Sequence, residues 1–159
     1  MKKDLFIDNN VANKFSNPQD KEYIKLTSWL MNYDNKKGVK DDYAHLVVSQ
    51  KLLVEYYRSA QGAKSDTAIP MIIAKLQQQG RLVIKTNQEI KDFKSIHFTK
   101  AVEKNLRSNK EDREHIPVVL LSERKYAISY DENFTFDVVN FPGYKAIVAK
   151  RPEDINYAG

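Results

Sequence analysis

Apolar positions along the chain switch repeatedly between runs that suit a strand and a three-to-four spacing that suits a helix. Residues 4–7 (Asp4, Leu5, Phe6, Ile7) are short, apolar and bounded by charge, the pattern of a buried parallel strand. Tyr23, Leu26, Trp29, Leu30 and Tyr33 then recur at helical spacing over residues 19–34, and "KKGVKDD" is an exposed turn. "HLVVSQ" (45–50) has the β-branched character of a second strand. "SQKLLVEYYRSA" turns helical after it, with Leu52, Leu53, Tyr56 and Tyr57 on one stripe. A further helix is predicted over 69–79, a third strand over "RLVIKT" (81–86), and a helix from "NQEIKDF" with Asn87 as its N-cap. The polar "RSNKEDREH" leads into the apolar "IPVVLL" (116–121), then "KYAISYD" is strand four and "YKAIVAK" (144–150) strand five. Strands and helices in this alternation predict an α/β fold: a mostly parallel sheet of about five strands in a three-layer α/β/α arrangement.

No linker, repeat or low-complexity tract interrupts residues 1–159, so one domain is expected. No apolar run nears the roughly 20 residues that span a bilayer, and "MKKDLFIDNN" meets charge too early for a signal peptide. A soluble, cytoplasmic protein with no membrane partner is the expectation. Without cysteine there is no disulfide, thiolate nucleophile or zinc-thiolate site, and His45, His97 and His115 are too scattered to suggest a histidine metal site. Any metal would be held by oxygen. The net charge of +5 (26 basic against 21 acidic residues) permits attraction to phosphate without requiring it.

In a parallel α/β sheet, ligands bind beyond the carboxyl ends of the strands. Asp8 ends the first strand there and Asp131 the fourth, while Glu55 flanks the apolar stripe of the helix after strand two. "NKEDREH" (109–115) adds a fourth acidic stretch where a helix would open. Singly, each has a plainer explanation: a strand-end Asp most often caps the next helix, Glu55 could be solvated helix surface, and 109–115 an exposed loop. Their joint order is what points to chemistry.

That order resembles the PIN domain, a family of metal-dependent nucleases, over nearly the whole chain. The family opens with a strand ending in Asp, a hydroxyl residue, Asn and an apolar residue; here these are Asp8, Asn9, Asn10 and Val11. It continues with a Glu on the helix after strand two (Glu55), an Asp at a helix start, and a strand ending [ST]-x-D (Ser129, Tyr130, Asp131). "IVAKRPEDI" is similar to its last strand and following turn. The resemblance implies Mg²⁺ or Mn²⁺ held by Asp8, Glu55, Asp112 and Asp131, which act as the catalytic acids of phosphodiester hydrolysis on RNA. Asn10 would fix the strand-one turn and Ser129 would face the substrate; independently, Arg107, Lys110 and Arg113 recur every three residues near the proposed site, a spacing that suits either an RNA path or ordinary solvated charge. The resemblance also implies a small toxin ribonuclease, with an antitoxin protein and a homodimer as partners.

Two departures from the pattern matter. Asn9 replaces the hydroxyl residue, and Pro117 limits where the third acid's helix can start. Asp112 is one residue further from Asp131 than the family spacing and Glu114 one residue nearer; side-chain type favours Asp112. Both departures leave open a catalytically weak or inactive PIN-like domain that binds RNA or protein. A receiver or phosphatase-type domain would want an acid pair beside the first Asp, and "DNN" lacks one. His115 is expected to serve as a loop or capping residue, and Trp29, Tyr56 and Tyr57 as core.

Overall fold

The computed structural model describes residues 1–62 and 65–159. Strand β1 (Lys3–Ile7) is buried over Asp4–Ile7 and leads into the single-turn helix α1 (Asn9–Ala12) and then α2 (Lys21–Met31), which Asp20 caps. Strand β2 (Ala44–Ser49) is buried throughout, and Ser49 caps α3 (Gln50–Ser59) by accepting the Leu52 N–H. There follow α4 (Ile69–Gln78), β3 (Leu82–Lys85), α5 (Asn87–His97), α6 (Lys100–Asn105), α7 (Lys110–Arg113) and α8 (Ile116–Leu120). Strand β4 (Tyr126–Ile128), α9 (Glu132–Val139) and β5 (Ile147–Ala149) complete the order.

The sheet has five strands, all parallel, in the order β3-β2-β1-β4-β5. Helix α2 packs on β2 and α4, and α3 on β2, α4 and α1; α8 packs on β1, β2, α5 and α9. Helices therefore cover both faces, which is why the central strands read as unbroken apolar runs. The edge strands β3 and β5 instead leave Ile84 and Ile147 exposed. Below the sheet's amino end, the fully buried Arg81 guanidinium donates to the Ala44 and Leu30 carbonyls and to Gln79, joining β2 to the end of α2.

The predicted five-strand α/β sheet is present, with local corrections. Thr86, not Asn87, caps α5: its hydroxyl accepts the Glu89 N–H while Glu89 accepts the Thr86 N–H, and this reciprocal box needs a hydroxyl at the cap. Strands four and five shrink to three residues each, because Asp131 is already the cap of α9 and residues 144–146 are not strand. Trp29 packs partly buried on the core and Tyr56 is fully buried, but Tyr57 is half exposed on the outer side of α3. The segment 109–121 is two short helices rather than one, with Pro117 in the first turn of the second. There its missing N–H costs nothing.

Candidate active site

The chain lays β2 and β3 on one side of β1, then returns to add β4 and β5 on the other. After β1 it turns to the face carrying α3, and after β4 to the face carrying α8 and α9, so the two turns part and leave a crevice between them. Asp8 and Ser129 to Asp131 line the two sides of this crevice. The Asp8 N–H still bonds to the Ile128 carbonyl at 2.9 Å, so the end of β1 is held in register with β4 up to the acid itself.

Asp8 is committed on both oxygens. One accepts the Asn9 N–H at 2.8 Å, as a helix cap does, and the other accepts the Ser129 hydroxyl at 2.6 Å. The Ser129 Oγ in turn accepts the Asp131 N–H at 3.1 Å, and the Asp131 carboxylate caps α9 through the Phe134 N–H at 3.0 Å. Ser129 is therefore a buried link between two acids, not a substrate contact. Asn10 joins the same two turns, its Oδ1 accepting the Tyr130 N–H at 3.3 Å.

Glu55 comes to the crevice on α3, and the neighbouring Tyr56 fixes that helix by donating its hydroxyl to the Ile7 carbonyl, one residue before Asp8. Asp112 comes from the opposite face on α7, which Asn109 caps by accepting the Asp112 N–H at 2.8 Å. Glu114 lies just past α7 and pairs with Lys94. The Asp112 carboxyl feels the charges of Asp131, Asp8 and Glu55.

The residue that sequence reasoning missed is His115. It forms no capping bond with its side chain and is only 2 % exposed. Its Nε2 stands 2.9 and 3.2 Å from the two Glu55 oxygens, and its ring packs on Phe6 at 5.8 Å between centroids. Nε2–H donates to the carboxylate, which leaves the buried Nδ1 with no hydrogen-bond partner. The available signal was its place directly before an apolar run, where a polar residue entering the core needs a buried partner.

Electrostatics tie the four acids together. Burial lifts the Asp8 carboxyl above the ordinary value; the Ser129 bond and His115 oppose this, and Glu55 adds to it. Asp112 is lifted by burial first, then by the charges of Asp131 and Asp8. The Tyr56 phenol is pushed well up by burial, with Asp8 and Glu55 contributing. Like charges that raise one another's pKa suit a hard divalent cation with oxygen ligands. Among the described residues, no three acidic or histidine side chains stand as they lie in an arrangement that would hold a metal ion. The Asp8, Asp131 and Glu55 oxygens are turned to Ser129, helix N-termini and His115 instead.

The remaining predicted residues lie outside the crevice. Arg113 donates to the Ser108 carbonyl and, at 3.5 Å, to the Leu106 carbonyl, so it braces its own loop. Arg107 lies over the Phe136 ring at 3.4 Å beside a cavity of about 630 Å³ that contains none of the four acids. Lys110 is exposed next to Arg113 and Glu114. Asn9, at the hydroxyl position, donates to Ser59 at 2.6 Å and so pins α1 to the end of α3. No helix is long and apolar enough to cross a membrane among the described residues.

Fold and site together define a parallel α/β domain with an acidic crevice at its topological switch point. Comparison with known proteins finds no match, whether to a family model, a curated protein or a solved structure.

Proposed function

We propose that this chain is a PIN-like, metal-dependent ribonuclease that hydrolyses phosphodiester bonds with Asp8, Glu55, Asp112 and Asp131. The observation that carries this is the meeting of four carboxylates from four separate elements at one switch-point crevice, two of them with raised pKa values. Such a cluster costs stability, and structural capping alone needs no more than one acid per helix. Asp8 and Asp131 would hold Mg²⁺ or Mn²⁺ directly, with Glu55 and Asp112 completing the oxygen shell. The ion, when bound, supplies Lewis acidity that activates water and offsets charge developing on the phosphate. Burial, with the charges of Asp131 and Asp8, raises the Asp112 carboxyl above its ordinary value. Ser129 and Asn10 keep the two strand ends together so that Asp8 and Asp131 act as a unit. In the test, RNA and DNA strands are incubated with Mn²⁺ and the Asp8→Asn variant is run alongside. Metal-dependent cleavage of RNA by the parent chain and its loss in a folded variant are expected; equal cleavage by both would sink the assignment. An antitoxin partner and a homodimer belong to the same proposal.

One observation favours a second reading. Both Asp8 oxygens, one Asp131 oxygen and the Glu55 carboxylate already have internal partners. A non-catalytic domain that binds RNA or protein through the same crevice would look like this, and it would gain no stability from Mn²⁺.

A further inference from the structure

Two of the three basic residues singled out by sequence spacing are engaged elsewhere. Arg113 is spent on carbonyls of its own loop and Arg107 on Phe136. On the other side of α7 a cleft of about 310 Å³ opens at the carboxyl end of β2 and β3, and Lys51, Lys91, Lys94 and Glu114 contribute to its walls. Lys51 sits one turn before Glu55 on α3, so the two share a face about 6 Å apart along the axis. Lys94 pairs with Glu114, which closes α7 two residues after Asp112. The cleft is thereby adjacent to two of the four acids, through Lys51 on the helix of Glu55 and Glu114 just after Asp112.

Its charge is unbalanced. Three lysines face one glutamate, and that glutamate is already paired with Lys94. Lys51 has only a long contact of 3.9 Å to the 85 % exposed side chain of Glu111, and Lys91 has no ion-pair partner among the described residues. Two cations are therefore free to meet an anion beside a site that is itself acidic. At the N-terminus of α5, also at this edge, the Thr86 and Glu89 box takes up the Thr86 and Glu89 N–H groups.

Resting on the nuclease reading of the crevice, we infer that this cleft is the track for the backbone of a single-stranded RNA substrate, with Lys51 and Lys91 each neutralising one phosphate next to the one held at the acids. The lysines offset the repulsion that the acids exert on a polyanion, and Lys51 leaves Glu111 for the phosphate when substrate arrives.

The experiment measures equilibrium binding of a single-stranded oligoribonucleotide to the full chain in EDTA over a range of salt, so that neither metal nor cleavage enters. Each phosphate contact contributes about 0.7 to the slope of log K against log salt for a single strand. Lys51→Gln with Lys91→Gln is expected to lower that slope by about 1.4 and to weaken binding roughly tenfold at low salt. Arg107→Gln with Lys110→Gln is expected to leave both unchanged. The inference fails if the lysine pair leaves the slope intact, if the Arg107 and Lys110 pair lowers it as much, or if the parent chain does not bind the strand. A parent chain that binds with the expected slopes yet cuts nothing with Mn²⁺ would instead remove the nuclease reading and keep the track.

Discussion

At the scale of single residues, Asp8 shows how one carboxylate serves two ends. It caps α1 and bonds Ser129, yet burial and Glu55 keep its pKa above the unfolded value. An acid with a raised folded pKa favours folding most when protonated, so this contribution is present below the unfolded pKa and is lost as pH rises through the folded one. In the metal-free protein, the melting temperature should therefore fall as pH climbs out of the acid range. Asp8→Asn should remove part of that fall and melt higher than the parent at neutral pH, as followed by circular dichroism in EDTA. His115 works through Glu55. Replacing it by Phe keeps a ring against Phe6 and removes the donor to the carboxylate. Cleavage should drop by about 10- to 100-fold with little change in melting, and His115→Gln should recover part of the loss because its amide can donate. Equal rates for the Phe and Gln variants would reduce His115 to packing. Asp8, Glu55 and Asp131 were legible in the sequence because strand ends and helix stripes have fixed periods. The Glu55 to His115 pair was not, since it joins residues 60 positions apart and depends on which face of each element meets the other.

At the scale of elements, the segment between β3 and β4 carries Asp112, the third acid of the proposed site, and here the sequence was least explicit. The acidic stretch and Pro117 announced a helix start, and the chain answers with two, α7 for Asp112 and α8 for the apolar run. The restriction that Pro117 imposes acts on α8 alone, which frees Asp112 to sit in a separately capped turn. What positions that turn is a long-range bond that spacing does not reveal. The buried Asp137 on α9 accepts the N–H groups of Arg107 and Ser108, both at 2.8 Å, just before Asn109 caps α7. Asp137→Ala leaves both donors without their acceptor at a cost of about 3 kcal/mol. The urea midpoint should fall accordingly. Cleavage should fall as well, though none of the four acids is altered, because α7 loses its tether to α9. A variant with unchanged midpoint and rate would show that the loop is held by something else.

At the scale of the whole molecule, the sheet order creates the crevice and the crevice collects negative charge, so a divalent cation should act on the stability of the entire domain. A ligand that binds only the folded state adds RT ln(1 + [L]/Kd), about 2.7 kcal/mol at a hundred times Kd. For a chain of this size that corresponds to a rise of roughly 5 to 10 °C in melting temperature. The rise should follow Mn²⁺ concentration and not ionic strength, which a sodium chloride control of equal strength separates. It should shrink as pH falls and Asp8 and Asp112, whose pKa values are raised, take up protons. Asp8→Asn should lose most of it. The same variant should thus melt above the parent without metal and below it with metal, a crossing that a capping role for Asp8 does not produce. If Mn²⁺ moves neither protein, the carboxylates are held by Ser129, His115 and the helix ends for architecture alone, and the crevice belongs to a binding domain.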